Sequence, residues 1–372
     1  MFRKAAYFLL ISLFLWFGIG SRYANARLQD TAPIFFATTQ IQVLRTSVEY
    51  GRDYTYQMQF FTMQVDGSAR TPLGSITFTD CTSRGGQNCT LHSAFWLPKH
   101  NLIAFRALIY GVEGLYLLDL KGEGVPQAIV NAVLPSQEGQ LVVSPDQMWL
   151  AYLREKYSDE TVGSYRLFML PIQGEPNAFP IADDLPAWQM LPEFDPQGEY
   201  ILFQSGDLSH SENNALNISR THYRARLDGS QRLALPLPAL AVNVQWSPTG
   251  EQIAYCEAGR SNTHIILADR DGQTLRRITQ SPVPCAQLSW SPQGDLLLLS
   301  DLQTFFTIRI ADGNLEKRFT STQFITANAV RWSPDGQYIA FIRENALEVL
   351  SLADNSLQRL TDSEFVAVLD WR

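Results

Sequence analysis

The sequence predicts an all-β protein: a seven-bladed β-propeller of four-stranded blades, its ring closed by the C-terminal strand joining the N-terminal blade. Three observations lead there. The first is the stretch Val330-Arg331-Trp332-Ser333-Pro334-Asp335-Gly336-Gln337-Tyr338-Ile339-Ala340-Phe341-Ile342-Arg343, which reads as two strands around a turn. Val330 to Trp332 alternates apolar and polar and ends in an aromatic, and Tyr338 to Ile342 is rich in β-formers. Between them Pro334 pre-sets φ, Asp335 tolerates the second corner and Gly336 takes the positive φ that closes a hairpin with a bulge. The second observation is recurrence. Pro98, Pro145, Pro196, Pro248, Pro292 and Pro334 mark the same cassette at intervals of 47, 51, 52, 44 and 42 residues, the period of a four-stranded blade. The third lies at the chain ends: Phe365-Val366-Ala367-Val368-Leu369-Asp370-Trp371 repeats an inner strand and stops where the proline turn belongs, whereas the first unit has no inner strand. Joined, the two halves make one blade, and closing the ring removes the open edges that invite aggregation.

The start of the chain differs in kind. Arg3 and Lys4 precede an apolar run from Ala5 to Ile19, followed by Ala24-Asn25-Ala26, so residues 1–26 read as a secretory signal peptide cut after Ala26. The alternative is an uncleaved anchor in the inner membrane; the run falls short of the usual span of about 20 residues. Residues 27–372 then form a single propeller domain, periplasmic or secreted. Its first unit has strands at Ile34 to Ala37, Tyr54 to Val65 and Ser75 to Thr79, with a hairpin turn at Asp66-Gly67. Six complete units follow, at 92–131, 139–182, 187–235, 241–279, 286–319 and 328–361, with third-to-fourth strand turns at Asp228-Gly229, Asp271-Gly272 and Asp312-Gly313. The units near 92 and 139 lack the turn glycine, with His100 and Gln147 or Met148 around that site.

Side-chain alternation divides each inner strand. Two and four residues before the aromatic stand Val244 and Val242, Leu288 and Ala286, Val330 and Asn328, Leu369 and Ala367, a packing face. One and three before it stand Gln245 and Asn243, Ser289 and Gln287, Arg331 and Ala329, Asp370 and Val368, a more polar face expected to approach the central channel. Arg331 and Asp370 share a register on either side of the ring's seam, which places an ion pair across it.

The tandem Trp-Ser-Pro-Asp-Gly-x-x-Ile-Ala-Phe cassette, with a later Asp-Gly turn and endings such as Arg277-Ile278-Thr279 and Arg359-Leu360-Thr361, resembles the TolB-type, WD40-like propeller repeats. It is clearest in the units starting near 241, 286 and 328. Neither a Trp-Asp ending nor a Gly-His start repeats, so the eukaryotic-type WD40 variant fits less well. The resemblance implies a propeller, export and protein binding in the bacterial envelope. The α/β domain that precedes the propeller of TolB itself has no room between Ala26 and the first strand, so a lone propeller is expected.

The formal net charge is −8, and loss of Arg3, Lys4 and Arg22 with the leader takes it to −11. An acidic chain with no basic run disfavours nucleic acid and anionic lipid as partners. Cys81, Cys89, Cys256 and Cys285 form an even set in an exported chain, favouring two disulfides. In a propeller the loop after a second strand and the loop between blades share a face, so the pairs Cys81 with Cys89 and Cys256 with Cys285 are expected there. The histidines His92, His100, His210, His222 and His264 are scattered, no Asp-Gly turn extends into a calcium loop, and no nucleophile elbow, phosphate loop or dinucleotide fingerprint occurs. No cofactor, metal or catalytic residue is therefore assigned, and the expected function is a non-enzymatic binding or scaffolding propeller. A carbohydrate-active enzyme, with carboxylates converging across blades, is the alternative. The longest loops, Arg154 to Tyr165 and Gly206 to Thr221, follow second strands on the cysteine-bearing face. They nominate Tyr157, Asp159, His210, Asn213, Arg220 and Arg260 as the side chains placed to reach a partner.

Overall fold

The computed structural model describes residues 32–47, 51–82, 88–122, 125–131, 141–155, 165–173, 177–186, 188–210, 216–258, 263–362 and 365–371. They form seven four-stranded antiparallel units around a ring. Blade 1 runs through Thr90–Leu97, Leu102–Ile109, Val112–Asp119 and Gln127–Asn131; blade 2 through Val142–Val143, Trp149–Glu155, Tyr165–Pro171 and Phe179–Pro180; blade 3 through Trp188–Phe194, Tyr200–His210, Leu216–Arg226 and Leu233–Leu235. Blade 4 holds Ala241–Trp246, Gln252–Ala258, Thr263–Asp269 and Thr274–Arg277; blade 5 Gln287–Trp290, Leu296–Ser300, Thr304–Arg309 and Leu315–Thr320; blade 6 Ile325–Trp332, Tyr338–Arg343, Ala346–Ser351 and Leu357–Arg359. Blades 2 and 3 touch through one parallel pair, Tyr165 opposite Trp188.

Blade 7 is built from both ends of the chain. The strand Phe365–Asp370 adds to the edge of Ile34–Ser47, with Phe35 opposite Asp370 and Thr39 opposite Phe365, and Gly51–Met63 and Thr71–Thr82 complete the sheet. Trp371 locks the seam by donating from Nε1 to the Ala32 carbonyl at 2.7 Å. Arg331 and Asp370 meet across it, Nε to Oδ1 3.9 Å, with Arg331 a third exposed and Asp370 buried.

The residue three before the turn glycine shows why the cassette carries serine. Ser333 Oγ donates to Asp335 Oδ1 at 2.5 Å and accepts the N–H groups of Gln337 and Tyr338, satisfying donors that the tight turn leaves without a backbone partner. Ser144 and Ser291 act in the same way in their blades, and Asp195 substitutes with its carboxylate, accepting from Glu199 and Tyr200. The left-handed corner falls to Gly336 (φ 68°), and in blade 2 to Gln147 (φ 60°). In blade 1 it moves one place on from His100 to Asn101 (φ 57°), a residue that tolerates this region.

Seven residues after the proline, the middle of each second strand carries a large side chain: Phe105, Tyr152, Phe203, Tyr255, Leu299 and Phe341, each no more than 1% exposed. They pack blade on blade; Phe305 of blade 5 stands edge-on to Phe341 of blade 6 at 5.0 Å, and Phe60 of blade 7 meets Phe105 of blade 1 at 5.9 Å. The expected strict alternation along inner strands does not hold. Bulges interrupt the register between Leu91 and Ser93, Met190 and Glu193, Val242 and Gln245, and Ile325 and Val330, and the closing strand slips where it passes Ala37 and Thr38. Ala329, which falls within the irregular stretch of its strand, is buried in the core between blades 6 and 7, and Val368 is buried in the core between blades 7 and 1.

Candidate functional site

Inner strands start, and second strands end, on one face of the ring, opposite the proline turns. Both disulfides lie there. Cys81 and Cys89 close the connection from blade 7 to blade 1 with Cα atoms 5.8 Å apart, and Cys256 of blade 4 is bonded to Cys285 at the start of blade 5 across 6.5 Å. The second bridge is reinforced by Asn243, whose Nδ2 donates to the Cys285 carbonyl at 2.9 Å.

Of the six side chains nominated from the sequence, Tyr157, Asp159, Asn213 and Arg260 lie outside the described residues. His210 ends the strand Tyr200–His210, opposite Leu216, and Arg220 stands on the returning strand opposite Gly206. The segment from Gly206 to Thr221 is therefore not a loop, as its polar composition suggests, but for most of its length the extension of a hairpin. Ser205, Asp207 and Ser209 keep strand pairing because the backbone ladder is made by N–H and C=O groups that every one of these residues carries.

The side chains that stand out on this face are apolar. Leu240, Phe324 and Phe365 are 62%, 72% and 52% exposed, and each is the residue immediately before a buried one that anchors an inner strand: Ala241, Ile325 and Val366. The anchors are held by backbone bonds, Ala241 N–H to Pro238, Ile325 N–H to Leu302 and Val366 N–H to Asn345. Because successive side chains in an extended chain point to opposite sides, only one of two adjacent apolar residues reaches the core. The sequence signal was thus present in Leu240-Ala241, Phe324-Ile325 and Phe365-Val366, as paired apolar residues where a blade's buried face needs one. Ile41 and Val43, 61% and 48% exposed, add to the surface from blade 7.

Beneath this rim the polar groups are paired or enclosed. In blade 1, Arg106 donates to Glu113 at 2.7 Å and His92 lies 3.2 Å from the other carboxylate oxygen. In blade 6, Arg343 holds both oxygens of Glu348 at 2.9 Å. Gln204 and His222 face each other at 3.1 Å in blade 3, and burial, with the Arg220 charge nearby, pushes the His222 imidazole down to about 4. Glu193 is half-buried on its inner strand. Its Oε1 accepts the Trp246 N–H at 3.2 Å, Oε2 has no hydrogen-bond partner among the described residues, and burial pushes the carboxyl up to about 8. Among the described residues no group of three or more His, Cys, Asp or Glu side chains is arranged to hold a metal ion, and no helix is long and apolar enough to cross a membrane.

The comparisons with known proteins agree with the architecture. The family described as eukaryotic translation initiation factor eIF2A matches residues 188–343. A subunit of eukaryotic translation initiation factor 3 from Culex quinquefasciatus is 24% identical over 248 residues, covering 62% of this chain and 33% of that protein. The chain thus spans about a third of the length of that curated relative. Among solved structures, oligogalacturonate lyase from Vibrio parahaemolyticus is 13% identical with a TM-score of 0.51, covering 82% of this chain and 87% of the other. TolB from Acinetobacter baumannii is 15% identical with a TM-score of 0.45, covering 91% and 83%. At these identities the likeness to the lyase shows the fold alone.

Proposed function

We propose that the chain is an exported, non-enzymatic, TolB-like propeller of the bacterial envelope that binds a protein partner through its cysteine-bearing face. The observation that carries this reading is the repeated exposure of Leu240, Phe324 and Phe365 at the same place in blades 4, 6 and 7. Exposed large apolar side chains brought to one rim are the mark of a docking surface, whereas single ones scattered over a protein are ordinary. Export is supported by the leader-like residues 1–26 and by two disulfides, which persist in oxidising compartments. Envelope extracts passed over the mature protein should yield a partner that a Leu240→Ser, Phe324→Ser, Phe365→Ser variant fails to retain at unchanged melting temperature. Equal retention by the variant would refute the assignment to this face. Cell fractionation with N-terminal sequencing checks the leader, the expected first residue being Arg27, against the membrane-anchored alternative.

A carbohydrate-active propeller is favoured by one observation, the enclosed Glu193 carboxyl, whose Oε2 has no hydrogen-bond partner among the described residues and whose pKa burial raises to about 8, the direction a general acid requires. Polysaccharide cleavage by the wild-type protein that is lost in Glu193→Gln would establish it in place of the binding reading.

A further inference from the structure

In blades 1, 4, 5 and 6 the inner strand covers the second strand to within a residue of its end: Thr90 reaches Leu108, Ala241 reaches Glu257, Gln287 reaches Ser300 and Ile325 reaches Arg343. Among the described residues blades 2, 3 and 7 depart from this, the second strands of blades 2 and 3 running four residues past the last pair at Ala151 and Gly206, and blade 7 departs furthest. Among the described residues the closing strand pairs from Asp370 as far as Phe365, opposite Thr39, while the strand it pairs with continues to Ser47, paired with Gly51–Met63 on its other side with one irregularity at Leu44. Residues 40–47 therefore present, among the described residues, an edge with no ladder partner, about 26 Å long at the usual rise per residue. Backbone N–H and C=O groups in such a row bond to water or offer a template on which another extended chain can add.

We infer that the edge at 40–47 receives an extended segment of the partner polypeptide, which adds as a strand in line with Phe365–Asp370. This rests on reading the cysteine-bearing face as a protein-binding surface, and it specifies how the partner binds. The closing strand is itself a chain segment added to this edge, so the incoming strand continues an interface that the fold already uses. The side chains state what the segment carries. Ile41 and Val43 stand on the same side of the strand as the buried Phe35 and Ala37, opposite Tyr56 and Tyr54, whose hydroxyls accept the N–H groups of Leu91 and Cys89 in blade 1. An added strand meets Ile41 and Val43 as cross-strand neighbours, which selects apolar residues at alternate positions of the partner. A second copy of the chain is the poorer occupant, because each copy is acidic, with a net charge of −8 for the full chain and −11 once Arg3, Lys4 and Arg22 leave with the leader.

The test uses the full mature chain and a displayed library of random peptides of about ten residues, enough to span the edge. Selected peptides should alternate apolar and polar residues, slow hydrogen exchange of backbone amides within 40–47, and bind Ile41→Lys, Val43→Lys about tenfold more weakly, as the loss of two cross-strand pairs implies. Both substituted side chains are exposed, so melting should not move. Failure to select a peptide, protection confined to other segments such as 207–210, or equal binding by the lysine variant would each overturn the inference. Protection at 40–47 that grows with protein concentration in the absence of peptide would assign the edge to a second copy instead. Partner capture that survives the lysine substitutions but is lost in the Leu240, Phe324 and Phe365 variant removes the strand addition and leaves the docking face standing; capture that survives both sets removes both.

Discussion

Gln293 in the proline turn of blade 5 donates from Nε2 to the carbonyl of Asp335 in the turn of blade 6, at 2.9 Å. The same latch joins Gln197 to Thr249 at 3.1 Å and Lys99 to Asp146 at 3.1 Å, so the residue after the proline reaches forward in blades 1, 3 and 5. In blades 2, 4 and 6 that position holds Asp146, Thr249 and Asp335, short polar side chains that bond the serine of their own turn. The proline turns are thus tied together in pairs, blade 1 to 2, 3 to 4 and 5 to 6.

That latch makes Gly336 sensitive. Its φ of 68° disfavours any side chain, and a Cβ there would run into Oε1 of Gln293. Gly336→Ala is expected to cost about 1–2 kcal/mol, from the left-handed backbone together with displacement of the latch. Adding Gln293→Ala should recover the latch-dependent part. Denaturant midpoints of the two single variants and the double variant measure both.

Leu191 offers the opposite sign. It sits at φ 52° in an inner-strand bulge and is 39% exposed, whereas the residue three before the tryptophan in the next blade, at φ 51°, is Asn243. A bulky aliphatic in this region is strained, and asparagine tolerates it. Leu191→Asn is expected to raise stability by about 0.5–1 kcal/mol, read from the midpoint of a urea transition.

The ring is legible in the sequence because its evidence is local and repeated: Pro98 to Pro334 fix the period, and Trp371 without a following proline turn marks the closing strand. The cysteine pairs are readable for the same reason, since topology assigns their loops to one face. The bulges are not, because Asn243 and Leu191 share no residue type and only the backbone reveals their common φ. The polar composition of Gly206 to Thr221 points to a loop, but strand pairing there depends on the backbone ladder, and the exposed Phe324 and Phe365 look in sequence like core residues of a strand.

Two buried groups should shape the pH dependence with opposite signs. His222 has its pKa lowered to about 4 from 6.5, so as pH falls below about 6.5 the unfolded chain takes up a proton that the folded one refuses, and stability is lost down to about pH 4. Glu193 has its carboxyl raised to about 8 from 4.5, so its contribution is full below about 4.5 and is lost as pH rises toward 8. His222→Gln should flatten the acid limb, and Glu193→Gln should stabilise by on the order of a few kcal/mol at pH 8 while changing little at pH 4. Melting temperatures of the three proteins from pH 4 to 9 test both, and parallel curves would contradict them.

Closure depends on the C-terminal strand far more than on the ion pair that crosses the seam. At 3.9 Å with Arg331 a third exposed, the Arg331–Asp370 pair contributes about 1 kcal/mol or less, and Asp370→Asn should move the melting temperature by only a few degrees. Residues 365–371 instead bury Val366, Val368, Leu369 and Trp371, each at most 7% exposed. At about 2 kcal/mol apiece those side chains represent on the order of 8 kcal/mol, comparable with the entire stability of about 5–15 kcal/mol expected of a folded protein. Deleting residues 365–372 also bares the edge of Phe35 to Thr39, the stretch the closing strand covers. The truncated chain should lose its cooperative transition and aggregate, and differential scanning calorimetry showing a full-length melting profile would exclude closure by strand addition.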